Sequence, residues 1–405
     1  MSYRSLLRLA GVGFFPLGFL ARLPYSSSAL AILVLLQGTT HSYAFAGIGG
    51  AVQSIAVAVG GPAVGALADR YGHRTVAVTA ACANFLAWAA LLTAAEVGGR
   101  SGMLGAGVLV GLTQPPVGAL VRVHWARLVR ARGRGELLPA ALSYEASADE
   151  LSFVAGPALV GLAATAGPAA PVVAVMLLLA TSTLPFALRH TGAAVNSGTG
   201  TVSSARDLPY RPLAAMFLAM AAVGAVFGGV QTAVTVYADA VGRPGTAGLV
   251  YAGFGVGSAV TGAACAWLPA RFSTRARYVT FAALLCVGML VLFVGARLGS
   301  LPVAVALASC TVAPYMITLY ALTEQLAPAE RLATALTVLC AGGPLGTAVG
   351  QAVAGGLAQD HGVGGALLVA VGAAAGAFLL AAGVVLAGRT SREPVAGLQE
   401  SRTSR

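Results

Sequence analysis

The feature that most constrains this chain is its run of apolar stretches, each about as long as the ~20 residues an α-helix needs to cross a bilayer. They lie near 11–36, 43–64, 75–95, 102–125, 140–163, 168–188, 212–237, 246–268, 278–297, 301–322, 332–357 and 363–387, separated by short polar turns. Strands of an outer-membrane barrel would alternate apolar and polar residues instead. The expected fold is therefore an all-α integral membrane protein with twelve transmembrane helices. Composition closes the soluble alternative. Of 405 residues, 58% are hydrophobic and 9% charged, where a soluble domain carries roughly 25% charged residues.

The net charge of +11 is placed, not scattered. All 24 basic residues are arginine, and only Arg22, Arg100, Arg243 and Arg297 fall outside the segments expected on the cytoplasmic side. That is the positive-inside pattern of a multi-pass protein of the inner (plasma) membrane, not a nucleic-acid footprint. An even number of crossings puts both termini on one face. Arg4 and Arg8 at the start, with Arg389, Arg392, Arg402 and Arg405 at the end, put that face in the cytoplasm. Arg127, Arg130, Arg132 and Arg134, between runs four and five, read as an anchor at anionic headgroups. The first 30 residues mimic a signal peptide, but Arg22 interrupts the apolar region, so an uncleaved first helix is expected.

Catalytic and metal chemistry find no support. Cys82, Cys265, Cys286, Cys310 and Cys340 all lie inside apolar runs, without metal-ligand spacing or a disulfide framework. His41, His73, His124, His190 and His361 are scattered. HExxH, G-x-S-x-G and Walker patterns are missing, which argues against an enzyme and an ATP-driven pump. No cofactor is expected. His190 to Arg211 contains the polar stretch Asn196–Ser204, a linker that divides the chain into two six-helix halves, 1–189 and 212–388. Residues 389–405 read as a disordered cytoplasmic tail.

Between runs two and three lies Gly65-Ala66-Leu67-Ala68-Asp69-Arg70-Tyr71-Gly72-His73-Arg74. Gly65 suits a close approach of two backbones and Gly72 a tight turn. Asp69, Arg70 and Arg74 cannot sit in hydrocarbon and so pin this turn to a membrane face. The pattern G-x-L-A-D-R-x-G-x-R resembles the loop between helices two and three of the major facilitator superfamily of transporters. The resemblance implies two pseudo-symmetric halves with the substrate midway between them, rocking as a monomer. It also implies a conformational latch of Gly65, Leu67, Asp69, Arg70, Gly72 and Arg74, facing the cytoplasmic end of span eleven after Glu330-Arg331. An aspartate near a helix N-terminus gains about 0.3–1 kcal/mol when exposed, so Asp69 is expected to stabilise the outward-open state. The second half echoes the motif only in part: Arg271, Arg275 and Arg277 follow Gly262 after span eight, but the aspartate and second glycine are missing.

Span five carries Glu145, Asp149 and Glu150, with Glu145 and Asp149 on one helical face. Arg22 in span one and Arg122 in span four are the natural partners. Two readings stand side by side: a structural ion-pair cluster, or a proton site, since burial raises a carboxyl pKa and a nearby arginine lowers it. Gly156, Pro157 and Gly161 resemble the tail of the fifth-helix signature of drug exporters, with Ser152 where a glycine is expected. Gln114-Pro115-Pro116 breaks span four. The arginine–glutamine–glycine pattern of proton-coupled relatives is not there. Cavity candidates, on the spans that line the central path in this family, are Tyr25, Ser26, Ser27, Gln114, Phe227, Gln231, Tyr315, Tyr320 and Gln351. Their neutral character favours an amphiphilic or neutral organic solute. The expectation is proton-coupled efflux of a small molecule, with an uptake permease or a non-transporting relative as alternatives.

Overall fold

The computed structural model describes residues 3–115, 117–134, 137–190, 210–243, 245–265, 268–269, 271–327 and 332–390. Among these residues there is no strand. The helices are α1 Tyr3–Ala10, α2 Phe14–Leu20, α3 Leu23–Thr40, α4 Tyr43–Tyr71, α5 His73–Val97, α6 Arg100–Leu112, α7 Val117–Ala131 and α8 Leu138–Ala164. Then come α9 Ala170–Leu178, α10 Leu184–His190, α11 Tyr210–Ala240, α12 Thr246–Ala264, α13 Thr274–Arg297, α14 Leu301–Ser309, α15 Val312–Leu326 and α16 Leu332–Thr390. Nine segments of the described residues are long and apolar enough to cross a membrane. Large apolar side chains such as Leu86, Leu162, Leu307 and Leu379 point outward, which only a lipid surround tolerates in such number. The chain is a multi-pass integral membrane protein.

The turns have local causes. α4 runs to Tyr71 and α5 starts at His73, so Gly72 alone reverses the chain, at φ 92 and ψ 137. Asp69 and Arg70 therefore belong to the last turns of α4, not to a loop as the sequence suggested. Nothing in Ala66–Tyr71 stops a helix before the glycine does. At the other end of α4, His41 is left-handed (φ 52), and the Ser42 hydroxyl accepts the Phe45 amide at 3.2 Å as an N-cap. Gly362, at φ 59 and ψ −144, divides α16 into two helices. Arg277 holds the turn before α13, donating from Nε to the Phe272 carbonyl and from Nη2 to that of Pro269.

Breaks inside the apolar runs follow the same logic. The α2–α3 break falls just before Pro24, which has no amide hydrogen to continue the ladder. The Arg22 amide turns to Phe19 O at 3.1 Å, and the Arg22 guanidinium supplies Gly18 O instead, at 3.1 Å. Pro115 lies in the α6–α7 break. The sequence reading had no element before residue 11. α1 is an addition, too short to register as a crossing, with Leu6 buried in a cluster that includes Phe14 and Trp125.

The buried apolar residues fall into separate clusters. The largest draws its buried members from residues 216–381. The others draw theirs from residues 6–187. Helices from the two regions meet where glycines remove the side chain. Gly47 of α4 faces Gly355 of α16, and Gly161 of α8 faces Gly245 and Gly248 at the start of α12. These contacts lie toward the end of the bundle bearing the His41 turn. There the Tyr43 hydroxyl also donates to Asp239 Oδ2 at 2.6 Å, and the Tyr43 amide to Gln359 Oε1 at 3.1 Å. At the opposite end, bearing Gly72, no described atom lies within 4 Å of a Cβ built at Gly65. The close approach expected at Gly65 is not made among the described residues: α4 packs on α5 at this end through Val64 and Ala68, against Val76 and Ala80. Of the expected linker 190–211, residues 191–209 lie outside the described residues, as do 391–405 of the tail; Arg389 and Thr390 still belong to α16.

Candidate functional site

A cavity of about 790 Å³ lies between the helices that precede residue 190 and those that follow residue 210. It is within the ~300–1,000 Å³ range of small-molecule sites. Tyr25, Ser26 and Ser28 of α3, Gln53 and Ser54 of α4, and Ser147, Leu151 and Phe153 of α8 form one side. Phe227 and Gln231 of α11, Tyr251 of α12, Tyr320 of α15 and Thr347 of α16 form the other. The wall reaches along α8, α12 and α15 toward the Gly72 end, as the lining positions Ser147, Ala263 and Tyr320 show. Toward the His41 end the glycine contacts close it.

A chain of hydrogen bonds crosses the cavity floor. The Ser54 hydroxyl donates to Gln351 Oε1 at 3.3 Å, Gln351 Nε2 donates to Gln231 Oε1 at 2.8 Å, and Gln231 Nε2 donates to the Tyr251 hydroxyl at 3.0 Å. Gln53 Nε2 donates to Ser28 Oγ at 3.3 Å. Gln351 fits only because its neighbours are glycines. A Cβ at Gly50 would stand 2.6 Å from its Oε1, and one at Gly228 2.7 Å from its backbone nitrogen. This one side chain thus joins α4 to α11 through α16.

Five of the nine expected cavity residues line the wall: Tyr25, Ser26, Phe227, Gln231 and Tyr320. Ser27, Gln114, Tyr315 and Gln351 lie off it. The reason is helical phase, about 100° per residue. Ser27 lies opposite the face shared by Tyr25, Ser28 and Ala29, and it is fully buried. Tyr315 is five residues from Tyr320, about 140° round the helix, and stacks on Tyr278 with ring centroids 5.8 Å apart. Gln114 is buried in the α6–α7 break with neither amide atom hydrogen-bonded among the described residues. Gln351 stands one layer behind the wall and reaches it through Gln231. Gln53, Ser54 and Tyr251 escaped the sequence reading; the small residues flanking them, Gly50 among them, were the available signal.

The ionic residues form a second cluster. Asp149 accepts from Arg22 Nε at 2.8 Å and from Arg122 Nη2 at 2.5 Å. Glu145 pairs with Arg22 and also accepts the Trp125 indole N–H. So two carboxylates face two arginines, with Trp125 as a partner that no charge pattern announces. None of these four ionic residues lines the cavity. The side chains of Glu150 and Asp69 lie outside the described residues, and so does Arg331 with the expected latch contact.

The family model described as Major Facilitator Superfamily matches residues 213–404. In the fold comparison, the nucleoside transporter NupG superposes with a TM-score of 0.69 at 12% identity, covering 93% of this chain and 98% of that one. A bacterial homologue of the iron transporter ferroportin, in an inward-facing state, gives 0.70 at 15% identity, covering 92% and 98%. The human organic anion transporter MFSD10 (TETRAN) gives 0.62 at 17% identity, covering 92% and 99%. Residues 213–404 thus match the major facilitator superfamily model, and the chain over most of its length shares the fold of these transporters. A comparison with curated proteins gave no match.

Within that fold the motif residues take definite places. Leu67, Arg70 and Arg74 are exposed at the Gly72 end, with the Arg70 guanidinium 5.3 Å from the centroid of the Tyr71 ring. In the fifth-helix motif, Gly156 makes room for Ser26 of α3, and Pro157 and Gly161 receive α12 at Gly248. These residues pack α8 against both neighbours.

Proposed function

We propose that the chain is a secondary transporter of a small organic molecule, working by alternating access. Its twelve crossings form two six-helix halves, 1–189 and 212–388, joined by the linker 190–211. Both termini and the Gly72 end face the cytoplasm, across the inner membrane, and the protein acts as a monomer without nucleic acid. The observation that carries this reading is the cavity, closed by glycine contacts toward the His41 end and reaching toward the Gly72 end. The separation of the buried clusters by sequence region supports two rigid halves. In this conformation the cavity faces inward.

Protons are the coupling ion in this reading and efflux its direction, the latter taken from the fifth-helix motif. Asp149 is the proton carrier. Its side chain is 27% exposed, whereas Glu145 is fully buried. Asp149 bridges arginines on different helices, so a movement that parts it from either one breaks a charge pair. The test uses everted membrane vesicles with an imposed proton gradient and a panel of drugs, sugars and amino acids. One compound class should dissipate the gradient, and Asp149→Asn should abolish that response. A response that survives in the variant returns the carboxylate to a structural role, and silence across the panel removes efflux by proton exchange.

A further inference from the structure

The hydrogen bonds on the cavity wall leave specific valences open. The Gln231 amide gives one N–H to Tyr251 and takes one from Gln351, which leaves its second N–H. The Tyr251 hydroxyl accepts from Gln231, so its own hydrogen has no acceptor among the described residues. Gln53 gives one N–H to Ser28, and its carbonyl oxygen has no described partner. All three side chains are more than nine-tenths buried and all line the cavity. Two donors therefore sit side by side on α11 and α12, and an acceptor stands on α4.

The rest of the wall is apolar and aromatic. Tyr25 meets Phe153 edge to face, and Phe227 meets Phe254 in the same way. Among the described lining residues none carries a full charge at neutral pH. Arg22, the buried cation behind α3, is already engaged by Glu145, Asp149 and Gly18 O. An ionised solute entering this space would leave water without a counter-charge. A carbonyl oxygen, by contrast, would take the Tyr251 and Gln231 hydrogens together, and an adjacent N–H would meet Gln53.

We propose that Gln231, Tyr251 and Gln53 determine specificity, selecting uncharged solutes that carry a carboxamide-type group on an aromatic or apolar body. This inference rests on the transporter reading for its purpose, but the residues can be tested without transport. The probes are 2-naphthylacetamide, 2-naphthylacetate and 2-(2-naphthyl)ethylammonium, measured by equilibrium dialysis against the purified full chain in lipid nanodiscs. The amide should bind at least about tenfold more tightly than either ion. Tyr251→Phe and Gln231→Leu should each weaken the amide about tenfold, one hydrogen bond's worth, and leave the weak binding of the ions unchanged. Gln53→Leu, on a different helix, repeats the test where a variant fails to give a monodisperse peak. Equal binding of an ion, no binding of the amide, or amide binding indifferent to all three substitutions overturns the proposal. A counterflow assay with the same amide in proteoliposomes separates the two readings. Binding without counterflow refutes transport and keeps the site; counterflow of the ions at equal rates does the reverse.

Discussion

Gly161→Ala tests whether glycine contacts hold the His41 end shut. A Cβ at Gly161 would lie 2.5 Å from Gly245 O, 2.8 Å from Gly248 Cα and 2.9 Å from Leu249 N. The tightest of these is about 0.9 Å inside the 3.4 Å at which ordinary contact begins, and all three atoms are backbone. No rotamer change relieves the clash, so α8 and α12 must separate. Overpacking of this kind costs about 1–3 kcal/mol. That penalty falls only on the state in which this end is closed, so it shifts the balance between the two states by roughly 5- to 150-fold. Two single-cysteine proteins read the shift. One keeps Cys340, which is exposed and 3.5 Å from the hydroxyl of the cavity residue Tyr320. The other carries Gln359→Cys beside Tyr43. The ratio of maleimide labelling rates, position 359 over position 340, should rise by about the same 5- to 150-fold. An unchanged ratio in a folded Gly161→Ala protein would refute the reasoning.

Three further outcomes follow from single side chains. Glu145→Leu leaves the buried Trp125 N–H without its acceptor and removes one of the Arg22 partners. It should cost about 3–5 kcal/mol and lower the melting temperature in detergent, while Glu145→Gln, which keeps an acceptor for Trp125, should cost less; two variants melting like the natural protein would contradict the pairing. Gly72→Ala forces a side chain into φ 92, ψ 137 and should cost about 1–3 kcal/mol, seen as a lower melting temperature. Gln351→Leu removes the bridge from Ser54 to Gln231 and should raise labelling at Gln359→Cys severalfold, since each lost hydrogen bond is worth about 0.5–1.5 kcal/mol.

Much of the fold was legible because hydrophobic length is a coarse signal that tertiary contacts do not alter. The runs at 43–64 and 75–95 lie within α4 and α5, and the polar turn between them shrank to Gly72 alone. Breaks were harder to read. Pro24 and Pro115 interrupt helices, and at the first break the Gly18 carbonyl takes a side chain instead of only an amide, the Arg22 guanidinium four residues on, which apolar length does not announce. The pairing of Arg22 and Arg122 with the span-five carboxylates could be anticipated, since buried charges seek opposite charges. Trp125 could not, because an indole N–H carries no charge to announce itself. Cavity assignments failed where phase decided. Tyr315 and Tyr320 share a helix but not a face, and Gln351 looked like a wall residue because nothing in the sequence placed Gln231 in front of it.

The central claim is that opening at the His41 end is an obligatory step. It is tested by joining α4 to α16 there, through Tyr43→Cys and Gln359→Cys, with a short bis-methanethiosulfonate linker in proteoliposomes. Movement of the compound found by the vesicle panel should stop when the linker is in place and return when a reductant removes it. Transport that continues through the cross-linked protein would contradict the account.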